Sequence, residues 1–325
     1  MTTRRFFIAA GLALAVVFAF NLLVAWRIHP LAAQLMQRMQ AQPKIDVLFL
    51  GNSLMDSGID LHEVAKAWPA GSTPPPMFNC GLGASEPVEH YLLARQAFAH
   101  HDDIRMIVYG YYDLQLSQAQ PGGWDDLVGN RAMSYSVDPA TAAALYAPGE
   151  AWQKWRFELI GAIPLLANHA QLWKLVEIFR RGLEDFGLPA ERTNEFGRAE
   201  DFEEMAAPHL EYFKNVCRAG TAKPEPLVPA VRALIDLARA KKARLILVEM
   251  PMTSEHRTRY YDIPEYEAYR MHIQEALAKE RVPYVGASDF AEDSGFDDGL
   301  HLNEKGAAVF SAKMAPIVAA ALAQP

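Results

Sequence analysis

Lys44-Ile45-Asp46-Val47-Leu48-Phe49-Leu50-Gly51-Asn52-Ser53-Leu54-Met55-Asp56-Ser57-Gly58 is the stretch whose reading decides the fold. Its first half is a compact apolar run rich in β-formers and closed by a glycine, which reads as a short buried strand. Its second half puts a serine in the turn that follows. Working outward, comparable runs recur at 76–80 before Gly81, at 104–109 before Gly110, at 243–249 before Pro251, and at 282–285 before Gly286. Helical spacing fills the intervals at about 60–68, 86–100, 227–241, 264–280 and 304–322, the last entered by Asn303 as a plausible N-cap. Five short apolar runs separated by helices predict an α/β domain: a five-stranded parallel sheet, covered on both faces and built from βαβ crossovers. In such a sheet ligands bind at the C-terminal ends of the strands.

The rhythm breaks between about 114 and 225. This segment contains Trp and Tyr, is mostly helical in pattern (171–181, for example) and is bounded by turn-rich stretches. It is expected to be a helical insertion springing from the strand-end face, as a lid over a site or a docking surface for another protein. The expected organisation is an N-terminal anchor over 1–27, a stalk over 28–44, and one α/β domain over 45–325 carrying the insertion.

Composition narrows the function classes. The 325 residues are 51% hydrophobic and 22% charged, with 20 Gly, 21 Pro and 2 Cys, which excludes disordered, collagen-like and disulfide-scaffold readings. The net charge of −8 understates the acidity of the body, because residues 1–43 carry Arg4, Arg5, Arg27 and Arg38 and no acidic residue. An acidic domain without a basic, aromatic-laced stripe is not built for a phosphate backbone, so no nucleic-acid partner is expected. Cys80 and Cys217 sit in different regions, and unpaired thiols are the default. No metal site is expected either, since CxxC, HExxH and clustered His/Cys spacings are all absent.

Residues 6–26, FFIAAGLALAVVFAFNLLVAW, carry no charge. At 1.5 Å per residue they are long enough to cross a hydrocarbon core of about 30 Å. Arg4 and Arg5 precede the run, and the positive-inside rule keeps that flank in the cytoplasm, although Arg27 on the far side weakens the bias. A retained anchor is the expectation. A cleaved signal peptide and a twin-arginine export signal over 3–8 are the rivals. Each reading puts the body beyond the cytoplasmic membrane.

The chemistry gathers at the predicted strand ends. Ser53 occupies a tight turn between strand and helix, a nucleophile's position, where a helix N-terminus offers unpaired N–H groups to a developing oxyanion. Its alternative role is a simple N-cap. Asp298-Gly299-Leu300-His301 precedes the last helix. A nucleophilic serine needs a general base, and an imidazole needs an acceptor on its other nitrogen; the three-residue spacing supplies that acceptor locally, with Gly299 expected to permit the turn.

These elements resemble the SGNH/GDSL hydrolase superfamily over residues 45–112 and 243–322. The first block matches as Gly51-Asn52-Ser53, with Asn52 in place of the usual Asp, and the last as Asp298-x-x-His301. The resemblance implies a three-layer α/β/α, flavodoxin-like fold with Ser53 as nucleophile, His301 as base and Asp298 as its orienter. It also implies backbone oxyanion donors at Ser53 and in the block Asn79-Cys80-Gly81-Leu82-Gly83-Ala84-Ser85, where the register points to Gly83 or Ala84. Where the family has Gly-x-Asn-Asp, this chain reads Gly110-Tyr111-Tyr112-Asp113, so the amide donor is absent and Tyr112, Asn52 or Asn79 is left to replace it. Tyr111 and Tyr112 serving only as pocket or packing residues is the alternative.

Within the superfamily the chain looks closest to the membrane-anchored branches of envelope-polymer O-acetylation and D-alanylation. That likeness includes the segment from Glu249 to His256 followed by Tyr260-Tyr261, in which His256 is expected to be solvated or at a pocket rim. The resemblance implies a serine esterase or O-acyltransferase working without a cofactor on an acyl ester, with a carbohydrate polymer as one candidate substrate. It further implies a membrane contact through the N-terminal helix and a membrane acyltransferase or export system as partner. A catalytically degenerate binding module of the same fold is the second reading, and a lipase or thioesterase acting at the membrane is the third.

Overall fold

A computed structural model describes residues 3–27, 31–83, 85–117, 138–146 and 200–323, together with positions 155, 158, 159, 162, 163 and 165. The chain divides into two units, residues 1–34 with 122–190, and residues 35–121 with 191–325. In the first unit, α1 (Thr3–Arg27) has the length and apolar composition of a membrane span or a signal sequence. Phe7, Leu12, Leu14, Val16 and Phe18 on it are all more than half exposed. Asn21 Oδ1 accepts a hydrogen bond from the Leu165 N–H at 2.9 Å, and Asp138 caps the helix α6 (Pro139–Tyr146) through the Thr141 N–H.

The second unit is the α/β domain. Five strands, β1 (Val47–Gly51), β2 (Met77–Gly81), β3 (Met106–Tyr111), β4 (Arg244–Glu249) and β5 (Tyr284–Gly286), form one all-parallel sheet in the order β2-β1-β3-β4-β5. Every residue of β1 and β3 is buried, as expected for central strands with both faces covered. The unit boundary falls within α2 (Leu31–Gln40), and the other helices of the second unit are α3 (Ser53–Gly58), α4 (Leu61–Lys66), α5 (Pro87–His100), α7 (Glu200–Thr221), α8 (Pro229–Ala240), α9 (Pro264–Lys279) and α10 (Glu304–Ala323). α5 packs with α8, and α10 packs with α3 and α4. α10 is also apolar enough to cross a membrane, but Phe310, Met314 and Val318 are fully buried, which makes it a core helix.

The predicted strands and helices lie within a few residues of those observed. Three differences have physical causes. The stretch read as a stalk contains α2, whose Leu35 and Met39 are buried, because its apolar residues recur at helical spacing. The six-residue α3 escapes periodicity, being under two turns long. Of the segment expected as an insertion, 122–190 falls in the first unit, whereas 114–121 and 191–225 fall in the second. There α7 packs on α9 through an ion pair between Arg218 and Glu265 (2.6 Å) and through Phe213 against Tyr266. The helix expected over 171–181 lies outside the described residues.

Candidate active site

Packing of α3 onto the strand ends explains where Ser53 sits. A Cβ built on Gly81 would lie 2.4 Å from the Asp56 backbone nitrogen, and one built on Gly51 would lie 2.9 Å from the Gly110 carbonyl oxygen. Glycine at both strand ends therefore lets the short helix and the neighbouring strand approach directly. Asn52 caps α3, its Oδ1 accepting from the Leu54 N–H at 3.0 Å, and it is only 6% exposed. Asn is as good an N-cap as the Asp it replaces, so the departure in the first block leaves the turn intact. Asn79 closes the other end of α3: its Nδ2 donates to the carbonyls of Met55 (3.1 Å) and Ile59 (3.0 Å), and its Oδ1 accepts from the Gly81 N–H. Asn79 is committed to capping. It is not the missing oxyanion donor.

The partner elements come from the other end of the chain. Ser311 on α10 accepts from the Asp60 N–H at 2.9 Å and donates to the Gly58 carbonyl, which holds α10 beside α3 and α4. Asn303 caps α10 as predicted, its Oδ1 accepting from the Gly306 N–H. The loop before it folds on itself through a bridge between Phe296 and Leu302 and a hydrogen bond from the Asp297 N–H to the His301 carbonyl. A Cβ at Gly299 would meet open space, and its backbone is not in the left-handed region; the turn is made by Asp298 rather than by glycine. Asp298 Oδ1 accepts from the backbone N–H of both Leu300 (2.8 Å) and His301 (2.7 Å).

Asp298 Oδ2 accepts from His301 Nδ1 at 2.8 Å, and His301 Nε2 lies 2.9 Å from Ser53 Oγ. Burial acts to raise the Asp298 carboxyl, but the N–H groups of His301 and Leu300 and the His301 ring outweigh it and hold the group below the usual carboxylate value. An ionised Asp298 puts the proton on Nδ1, so Nε2 carries a lone pair and accepts from the Ser53 hydroxyl. Ser53, His301 and Asp298 thus form a continuous hydrogen-bonded chain across 248 residues of sequence.

Other expected site residues divide. The N–H groups of Ser53 and Gly83 have no hydrogen-bond acceptor among the described residues, and Gly83 is exposed. Ala84 lies outside the described residues. Tyr112 is half-buried at the end of β3; β1 and β3 pair Leu50 with Tyr109, so Tyr112 follows β3 as Ser53 follows β1. His256 is not solvated. It is 9% exposed, its Nε2 lies 2.9 Å from Asp113 Oδ1, and its ring packs edge-on to Tyr261, because the loop after β4 turns inward over the sheet.

Sequence reasoning missed two buried polar groups near the strand ends. Ser85 Oγ lies 2.7 Å from His90 Nε2, and His90 Nδ1 lies 3.0 Å from the Tyr109 hydroxyl, which ties the loop carrying Gly83 to the sheet. Glu249, 1% exposed at the end of β4, accepts from the hydroxyls of Tyr266 and Tyr284 at 2.8 Å each. Burial nevertheless raises its carboxyl above the ordinary value. The signal for both was a polar residue beside an apolar run, which alone does not separate buried from exposed. Cys80 and Cys217 are free and buried, and burial pushes each thiol up to about 12, so neither is a nucleophile. Among the described residues no group of His, Cys, Asp and Glu is arranged to hold a metal ion.

A serine at the end of β1, and an aspartate and histidine before the last helix of a 2-1-3-4-5 parallel sheet, meet in one hydrogen-bonded triad. The chain has the all-parallel, five-stranded α/β fold that the resemblance to SGNH/GDSL hydrolases implies. No family model matches the sequence, and no curated protein matches it. Among solved structures it is similar to a GDSL-like lipase from Bacteroides thetaiotaomicron, with 11% identity, a TM-score of 0.41, and coverage of 90% of this chain and 98% of that one. It is also similar to Est24, a carbohydrate acetylesterase from Sinorhizobium meliloti, with 11% identity, a TM-score of 0.37, and coverage of 86% and 100%. Neither likeness bears on the role of Ser53.

Proposed function

We propose that this chain is an SGNH-type serine esterase or O-acyltransferase that acts beyond the cytoplasmic membrane on an acyl ester, with an envelope polysaccharide as its substrate class. The observation that carries the reading is the hydrogen bond between Ser53 Oγ and His301 Nε2, on a ring whose other nitrogen is engaged by a carboxylate held ionised. In the proposed reaction Ser53 Oγ attacks the acyl carbonyl while its proton passes to His301 Nε2. Asp298 stabilises the imidazolium, and the N–H groups of Ser53 and Gly83 face the oxyanion, with Ala84 and Tyr112 as further candidates. Collapse breaks the ester bond, His301 returns the proton to the leaving alkoxide, and an acyl-Ser53 remains. Water or an acceptor hydroxyl, deprotonated by His301, then releases the acyl group. The location rests on the α1 segment with Arg4 and Arg5 before it. The polysaccharide and the acyltransferase or export partner rest on the resemblance to envelope-acylating branches.

A degenerate binding module is the second reading, favoured by one observation: Tyr112 stands where the family's amide donor belongs. Loss of one such donor costs about 2.7–4 kcal/mol of transition-state stabilisation, roughly 100- to 1000-fold in rate, which slows an enzyme without abolishing its chemistry. The test is turnover of p-nitrophenyl acetate by the full chain in detergent, with and without an oligosaccharide acceptor. Nitrophenolate release above that of His301→Ala supports the enzyme, and acceleration by the acceptor supports transfer over hydrolysis. Release no faster than that of His301→Ala overturns the enzymatic reading and leaves the binding module.

A further inference from the structure

The Ser53 triad leaves a second Asp–His pair at the same end of the sheet unexplained. Asp113 follows Tyr112 directly and adopts φ +47, the left-handed region that side-chain-bearing residues rarely enter. Such a conformation persists only where its surroundings hold it. Here they do so from two sides: the Asp113 N–H donates to the Tyr261 hydroxyl at 3.1 Å, and Asp113 Oδ1 accepts from His256 Nε2 at 2.9 Å. His256 is held in turn. Its backbone N–H is capped by Thr253, and its ring lies 4.8 Å from that of Tyr260 and 5.2 Å from that of Tyr261.

The segment that carries His256 also grips the loop that carries His301. Thr253 Oγ1 donates to the Gly299 carbonyl at 3.2 Å, and the Ser254 N–H donates to Asp293 Oδ1 at 2.7 Å. Residues 253–256 therefore touch the turn after β3 through His256 and the Asp298–His301 loop through Thr253. One short segment spans the two walls of the site.

We propose that Asp113 and His256 are a positioning pair for the Ser53 centre, locking the Tyr111-Tyr112-Asp113 turn to the segment that braces the His301 loop. The pair fixes where Tyr112 stands relative to Ser53 and does not itself exchange protons with the substrate. The inference rests on the enzymatic reading for its kinetic consequence, but its structural consequence is measurable without it.

Asp113→Gly separates the two roles of the residue, because glycine accepts φ +47 freely and removes only the carboxylate. In the full chain, hydrogen exchange is expected to rise by tenfold or more in peptides covering 110–116 and 296–302, with the melting temperature nearly unchanged. The kcat for p-nitrophenyl acetate falls by about tenfold while KM stays within a factor of two. His256→Leu gives the same pattern, the double variant is no worse than either single one, and His256→Gln, whose amide reaches the position of Nε2, recovers most of the loss. Unchanged exchange in both peptides overturns the proposal whether or not the protein turns over the ester. Additive losses in the double variant, or a kcat fall matched by a fall in melting temperature, also overturn it and reduce the pair to ordinary structural support. Exchange differences in the variants, together with a wild-type protein that shows no turnover, count against the enzymatic reading alone.

Discussion

At the residue scale the site is a set of small commitments, each leaving one atom for chemistry. Asp298 spends one carboxylate oxygen on two backbone N–H groups and the other on His301, which leaves Nε2 for Ser53. Asn79 spends its amide N–H groups on the end of α3, so it does not supply the oxyanion donor that Gly-x-Asn-Asp would have given, whereas Asn52 caps α3 through its oxygen alone. Tyr112 is the position at issue. Replacing it by Asn is expected to raise the rate of p-nitrophenyl acetate hydrolysis by roughly 100-fold, the lower end of what one oxyanion donor contributes. An unchanged rate would mean that the backbone donors and Tyr112 already complete the hole. Ser53 and the Asp298–His301 spacing were legible in the sequence because their chemistry is local: a turn after a strand, and an acceptor three residues before a base. The Asp113–His256 pair was not, because 143 residues separate its members and only the folded sheet brings them together.

At the element scale the sheet was legible and α3 was not. Each of β1, β3 and β4 carries four consecutive apolar residues with a glycine or proline following within three positions, the pattern of a strand buried on both faces. α3 has no such pattern, and its place is set by tertiary contact with Gly51 and Gly81. That dependence is testable. In Gly81→Ala the new methyl would meet the Asp56 backbone rather than a flexible side chain, so α3 must shift and carry Ser53 away from His301. The expected cost is about 1–3 kcal/mol of stability, read as a lowered melting temperature, together with a loss of esterase activity out of proportion to the unfolded fraction. Activity retained at the parent level would show that Ser53 is positioned by something other than the packing of α3 on β2.

At the scale of the whole molecule, five strands gather chemistry at one end of the sheet, and a buried carboxylate lies there beside it. Burial raises Glu249 even though two tyrosine hydroxyls and Arg270 favour its charge. A carboxyl raised on folding is penalised above its folded value and carries no penalty below the unfolded value of about 4.3. The melting temperature of Glu249→Gln relative to the parent is therefore expected to rise between pH 4 and pH 8; a flat or falling difference would mean that the tyrosines fully offset the burial. Composition and the apolar 6–26 segment set the broad class, an acidic α/β body behind an apolar helix. The division of 114–225 between two units was not legible, since helical spacing does not say what a helix packs against. The central claim is that Ser53 is an activated nucleophile. Its most direct test is labelling of the full chain in membranes with a fluorophosphonate, alongside Ser53→Ala, His301→Ala and Asp298→Asn. Stoichiometric labelling of the parent is expected, with none in Ser53→Ala, little in His301→Ala, and a rate lowered by about three to four orders of magnitude in Asp298→Asn. Folded parent protein that takes up no label, or label that persists in Ser53→Ala, would contradict it.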